Sequence, residues 1–301
     1  MAKSPNSDLV TVPTGRYRVA RGERVDLASR PTCDEPVCGS RAAFGRMLAA
    51  HVSALTEQQA RLYASGSHAV LMILQGMDAA GKDGVIKHVM SGVNPQGCAV
   101  TSFKQPTAEE LRHDFLWRAA EALPGRGVIG LFNRSYYEEV LVVRVHRDLL
   151  EGEGLDPEHG RKRLWRDRYR SIRDFEAHLR RNRTSVVKIF LHLSKEEQRR
   201  RFLARIDDSK KNWKLSPADI TERNFWDKYQ KAYAQCIEAT TSKSSPWYVV
   251  PADDKVSARL IVSQILLDTL TDLDLQWPHA TADHRAELER VRSRLTAEDP
   301  A

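Results

Sequence analysis

The segment GMDAAGKDG, Gly76 to Gly84, gathers the residue types that hold a phosphate. Gly76, Gly81 and Lys82 fit the spacing G-x-x-x-x-G-K of a phosphate-binding loop. Small residues, Ala79 and Ala80 among them, let backbone N–H groups turn inward around phosphate oxygens. A helix expected over Val85 to Met90 adds its N-terminal dipole, and Lys82 and Lys87 add positive charge. Asp83 stands where Ser or Thr is usual, and Asp78 lies inside the loop. A carboxylate there repels phosphate unless a cation lies between them, so Asp78 reads as a magnesium ligand. Asp83 reads equally as an acid favoured by the helix dipole.

A second constellation is GLFNRSYYEE, Gly130 to Glu139. Asn133, Arg134 and Ser135 follow a strand, at the sheet edge where open parallel sheets hold ligands. Arg134 is placed to neutralise charge on a transferred phosphoryl group, and Glu138 and Glu139 begin a helix within reach of metal or nucleotide. Ser135 with Glu138 also spells a helix capping box, which accounts for those two residues but not for Arg134. Tyr136 and Tyr137 could stack on a base or belong to the core. A third stretch, from Arg199 to Lys214, carries Arg201, Arg205, Lys210, Lys211 and Lys214. It reads either as a solvated face or as a mobile cover that closes over phosphates and excludes water.

These residues need a scaffold, and the apolar pattern supplies one. Continuous apolar runs at Ala69–Gln75, Cys98–Phe103, Val128–Asn133, Val186–Leu193 and Trp247–Val250 read as strands buried on both faces. Helically spaced segments lie between them, such as Glu109–Leu123 and Arg161–Leu179. Strands alternating with helices predict an α/β fold, a parallel sheet flanked by helices. Arg41–Tyr63, Val256–Leu270 and Thr281–Leu295 read as further helices, with Leu288, Val291 and Leu295 on one face of the last. Residues 1–15, rich in Ser, Pro and Thr, read as a flexible tail, and residues 16–301 as one domain with a lid at about 199–225.

The formal net charge of +7 attracts polyanions of any kind and names only the sign of a partner. No apolar run approaches the roughly 18 residues of a membrane helix, so no membrane partner is expected. The N-terminal MAKSPNSDLVTVPTG has no hydrophobic stretch of the secretory kind, which predicts a cytoplasmic protein. Cys33 and Cys38 lack a matching pair for a metal site and read, with Cys98 and Cys236, as reduced thiols. His88, His113 and His146 read as structural or hydrogen-bonding residues.

Taken in order, QGMDAAGKDG, HVMSGVNPQG, SFKQPT, HDFLWR, the Asn133–Glu139 segment and KNWKLSPADI resemble the polyphosphate kinase 2 family. The resemblance runs from about Tyr17 to Leu270. It implies a thymidylate-kinase-like P-loop fold with a helical lid. It also implies reversible phosphoryl transfer between inorganic polyphosphate and AMP or ADP, forming ADP or ATP, with magnesium (manganese as a substitute). Asp78 and Glu138 then hold the metal, Lys82 and Arg134 contact the transferred phosphate, and Asn133, Tyr137 and Glu138 line the nucleotide. Arg205, Lys210, Lys211 and Lys214 belong to the lid and polyphosphate path.

Many family members have Asp where this chain has Asn133. Glu138 resembles the subgroup that accepts both AMP and ADP. Family members are commonly dimers or tetramers, so a homodimer or homotetramer is expected. Two rivals remain at this level. One is an ATP-dependent nucleoside monophosphate kinase. The other is a non-catalytic polyanion-binding protein, for which Trp165, Trp213 and Trp226 among basic residues are the best support. Neither a zinc finger nor a basic helix with heptads points to nucleic acid.

Overall fold

The computed structural model describes residues 11–37, 39–156 and 161–297, with the side chains of Arg161 and Lys214 excepted. Five strands form the sheet: β1 (Ala69–Gly76), β2 (Cys98–Ser102), β3 (Ile129–Asn133), β4 (Thr184–His192) and β5 (Trp247–Pro251). Every pairing is parallel, in the order β2-β3-β1-β4-β5. The helices, in chain order, are α1 (Arg41–Ser65), α2 (Lys82–Val89), α3 (Trp117–Glu121), α4 (Glu138–Val145), α5 (Leu149–Gly152) and α6 (Arg161–Arg181). They continue with α7 (Lys195–Asp207), α8 (Pro217–Glu222), α9 (Trp226–Thr240), α10 (Lys255–Thr271) and α11 (Ala282–Ala297).

Alternation along the central strands sorts the core into two layers. Val70, Met72 and Leu74 of β1, with Val187, Ile189 and Leu191 of β4, pack toward α1, α2 and α10. Leu71, Ile73, Val186 and Phe190 point the other way, onto α4, α6 and α9. Both faces are therefore covered, which is why these strands read as unbroken apolar runs rather than alternating ones. The edge strand β2 departs from that expectation. It is largely accessible, Val100 being 54% exposed, because it has a neighbour on one side only.

Local signals set several helix ends. The Ser40 side chain accepts the Ala43 N–H at the start of α1, and Gly66 ends it at φ 55°. Asp254 caps α10 by accepting from the Val256 and Ser257 N–H groups. The helix expected across Glu109–Leu123 is not continuous. A single 3-10 turn at Glu110–Arg112 and the short α3 take its place, because Asp114 caps a new turn at Leu116 instead of continuing the first. The tail expectation is also corrected in part. Val12 is buried in the α10 layer, and Thr14 donates to Asp268 at 2.7 Å. Residues 1–10 lie outside the described residues, as does Cys38. Among the described residues, no helix is long and apolar enough to cross a membrane.

Candidate active site

The parallel sheet delivers two connections side by side at its C-terminal edge. Leu74 of β1 faces Asn133 of β3, and the Arg134 N–H donates to the Leu74 carbonyl at 3.0 Å. The loop after β1 and the loop after β3 are thus stitched together before either side chain acts.

The first loop requires its glycines. Gly76 has φ 156°, and a Cβ there would stand 3.0 Å from both Ala80 Cβ and the Leu191 carbonyl oxygen. Gly81, at φ 107°, leads into α2. Ala79 also adopts a positive φ of 62°. Such a conformation costs an alanine of order 1–3 kcal/mol and is held here by the surrounding structure. Gln198 of α7 donates to the Asp78 carbonyl at 3.0 Å. Arg201, also on α7, donates to the carbonyls of Ala79, Ala80, Ala252 and Asp253 and is paired with Glu197.

Arg201 therefore differs from the expectation placed on it. Its side chain is 4% exposed, with its donors committed to the loop backbone and β5's exit. It braces the loop from beneath rather than lining a polyphosphate path. The helix that it shares with Arg205 explains the difference: residues four apart lie on one side of a helix, yet Arg201 sits a turn closer to the sheet. Arg205 is half-buried, its guanidinium over the Phe202 ring at 5.8 Å.

Lys82 begins α2 and folds its ammonium under the loop, donating to the carbonyls of Gly76 at 2.7 Å and Met77 at 3.3 Å. Burial, followed by the Arg134 charge, lowers its pKa to about 8. Arg134 stands above the same loop at φ 64°. Its Nη2 donates to Asp78 Oδ1 at 3.0 Å, and its Nη1 lies 3.9 Å from Glu138 Oε2. Burial opposes its charge, but Glu138 and Asp78 together raise its pKa further. Burial raises the Glu138 carboxyl in turn, with Arg134 and Lys82 pulling it back. Two cations and two carboxylates thus share one small volume.

Asp83, in the first turn of α2, accepts from Asn133 Nδ2 at 2.8 Å. Asn133 uses its neutral amide as a donor between the two loops, a role an Asp in its place would not fill. Lys87 is exposed on α2. The capping box read from Ser135 and Glu138 does not form. The Ser135 hydroxyl instead accepts from Tyr137 N–H and from Gln75 Nε2, leaving Glu138 free to face Arg134.

Tyr137 is corrected outright. It is 0% exposed, and its hydroxyl donates to Glu176 of α6 at 2.6 Å, so neither ring face is open to a base. Tyr136 donates to the same oxygen at 3.0 Å, and Lys188 of β4 donates to the other at 2.6 Å. Lys188 also reaches the Thr240 carbonyl at 2.8 Å. This buried network anchors the segment right after Arg134. Sequence reasoning missed it, although a lysine amid the apolar run Val186–Leu193 was its signal. Glu139 likewise turns away from the site. It is buried against Arg118 at 3.2 Å, and burial lifts its carboxyl to about 7.

The lid region comprises α7's end, a 3-10 turn at Asn212–Lys214, α8 and a second 3-10 turn at Arg223–Phe225. Lys210, Lys211 and Trp213 are exposed, Trp213 at 74%. Lys211 pairs with Asp208, and the Lys214 side chain lies outside the described residues. The lid's far end is tied down: Arg223 donates to Lys195 O at 2.6 Å, and Glu222 lies 2.9 Å from His146 Nε2 and accepts from Tyr229 at 2.7 Å. His146 is thereby a hinge-side anchor, and His88 and His113 bond locally to Gly84 and Glu109.

A strand–loop–helix with a buried lysine, a facing arginine and a basic lid defines a P-loop phosphotransferase. Comparison with known proteins makes this particular. The profile of polyphosphate kinase 2 matches residues 40–278, and the chain belongs to that family. An ADP-polyphosphate phosphotransferase of Rhodopseudomonas palustris is 55% identical over 285 residues, spanning 94% of this chain and 99% of the relative. An AMP/ADP-polyphosphate phosphotransferase of Meiothermus ruber is 41% identical over 278 residues, spanning 92% and 97%. The crystal structure of polyphosphate kinase 2 from Arthrobacter aurescens TC1 superposes with a TM-score of 0.81 at 41% identity, covering 97% of this chain and 98% of that one.

Proposed function

We propose that this protein moves the terminal phosphoryl group of inorganic polyphosphate onto ADP, and also onto AMP, in a reversible reaction. The observation that carries the reading is Arg134, held at φ 64° above the phosphate loop between Asp78 and Glu138. An oxygen of the nucleotide's terminal phosphate attacks the last phosphorus of the chain. The bridging P–O bond breaks, and the shortened chain leaves with the bonding pair on its oxygen. The attacking oxygen is already ionised, so positioning and charge neutralisation suffice without a general base. Backbone N–H groups from Gly76 to Asp83 cradle the phosphate, Lys82 turns from its carbonyls to the transferred group, and Arg134 clamps it. Arg205, Lys210, Lys211 and Lys214 line the polyphosphate path, with Lys87 adding charge from α2. Arg201 keeps the loop in shape.

Asp78 and Glu138 suit a magnesium ion. Both are hard oxygen donors beside the phosphate loop, and magnesium is ordinarily held by one or two carboxylates with substrate phosphates and water. Among the described residues no cluster of three His, Cys, Asp or Glu offers a fuller cage. Bound there, the metal would draw charge from the phosphoryl oxygens, and manganese would substitute. Acceptance of AMP is supported by Glu138 and by the Meiothermus ruber relative, which is named for both AMP and ADP, while the Rhodopseudomonas palustris relative is named for ADP alone.

Free thiols at Cys33, Cys98 and Cys236 support action in the cytoplasm. Exposed Trp277, Leu288, Val291 and Leu295 support a homodimer or homotetramer, which sedimentation at several concentrations tests. The deciding assay is ATP formation with polyphosphate and magnesium as the sole additions, from ADP and from AMP. Product from both is expected. Product from ADP alone removes the Glu138 reading, and product only with ATP as donor restores the nucleoside monophosphate kinase.

A further inference from the structure

Away from the phosphate loop, α4, α6 and α9 enclose a concavity of about 550 Å³. Arg144, Arg147, Lys162, Arg166 and Arg173 line it, and among the described residues no carboxylate does. Two of these cations are fixed in advance. Arg144 donates to the Tyr169 hydroxyl and to Gln235 Oε1, with its guanidinium 5.5 Å from the Trp165 ring centre. Arg173 donates to the Ala239 carbonyl at 2.7 Å. A guanidinium has five N–H donors, so each keeps several for a ligand. Among the described residues, the acid nearest Arg166 is Asp167, at 3.6 Å, which is exposed and already shared with Arg163. Arg147 and Lys162 have no carboxylate partner among the described residues.

Clustered cations with little counter-charge repel one another, and an anion with several spaced charges relieves that repulsion. The lining also says which anion. Trp165 and Tyr169 are buried, and they hold Arg144 rather than offer a face for a base to stack on. The pocket offers cations that match phosphates and no open aromatic face on which a base would stack. It also lies at the far end of α4 from Glu138, about 10 Å along the helix at 1.5 Å per residue.

We infer that this pocket is a second binding site for inorganic polyphosphate, which holds a remote part of the chain whose end is being transferred. The inference rests on polyphosphate being the substrate. Tethering at a second point raises the effective concentration of the chain end at the transfer site. It therefore helps chains long enough to reach both places and does nothing for short ones.

The test is the triple variant Arg147→Gln/Lys162→Gln/Arg166→Gln, compared with the native protein on long-chain and short-chain polyphosphate. At low salt, KM for the long chain is expected to rise about tenfold, with KM for the short chain and kcat changed less than about twofold. An unchanged long-chain KM overturns the site, and so does an equal loss for both lengths. A single-stranded oligonucleotide of matched charge that competes equally for the pocket also overturns it, in favour of a nucleic-acid surface. If the native protein used neither chain length, the failure would lie with the proposed activity and would show before any variant was made.

Discussion

Lys82 and Arg134 are the residues on which the proposed chemistry turns, and each carries a consequence of its surroundings. Lys82→Ala removes the ammonium folded under the loop, and Arg134→Ala removes the guanidinium above it. Each is expected to lower kcat by about 10³-fold, the scale at which a transition-state arginine acts. A turnover near native in either variant would sink the site. The lowered pKa of Lys82, about 8, also predicts a pH dependence. Above that pH the free enzyme loses the charge that meets the phosphate, so kcat/KM for polyphosphate falls with an apparent pKa near 8. Bound phosphate raises the group again, so kcat stays flat through the same range. The sign for stability is the opposite. Between about 8 and 10.5 the unfolded chain holds the Lys82 proton more often than the folded one, so this group's contribution to stability rises with pH there. A kcat/KM profile level beyond pH 9 would remove Lys82 from substrate binding.

At the scale of elements, the loops act because other elements pin them. Gly76→Ala places a Cβ 3.0 Å from the Leu191 backbone oxygen, which cannot yield without moving β4. The expected result is a folded protein with about 10²-fold weaker activity, since a small misplacement near the chemistry costs that much. Behind Arg134, the Glu176 carboxylate holds Tyr136, Tyr137 and Lys188 together. Glu176→Ala leaves the fully buried Lys188 ammonium without its counter-charge. Chemical denaturation should then report a loss of about 3–5 kcal/mol. A change under about 1 kcal/mol would mean that water reaches Lys188 and that the network is not what anchors the loop.

Across the whole molecule, net positive charge is deployed unevenly, and the lid receives part of it in exposed form. Lys210→Glu/Lys211→Glu should raise KM for polyphosphate by about tenfold at low salt and leave kcat within about twofold, because exposed charges steer and hold the chain but do not touch the transferred group. The effect should shrink as salt is added. An equal drop in kcat would mean instead that the lid lysines reach the reacting phosphate. The far end of this stretch is tied down through Arg223 and the His146–Glu222 contact.

The strands and the phosphate loop were legible along the chain because their signals are local. A buried parallel strand needs an unbroken apolar run, and a loop that wraps phosphate needs glycine where Gly76 and Gly81 stand. Arg134 was legible for the same reason, as a charge directly after such a run. Tertiary structure alone decided what cannot be read from neighbours in sequence. Arg201 became a brace because α7 docks beneath a loop some 120 residues earlier. Tyr137 became core because α6 brings Glu176 to it, and the edge position of β2 came from strand order. Residue type and spacing fix which chemistry a chain can offer. Which face of an element meets the core, and so which of those groups stay available, depends on packing partners that are distant in sequence.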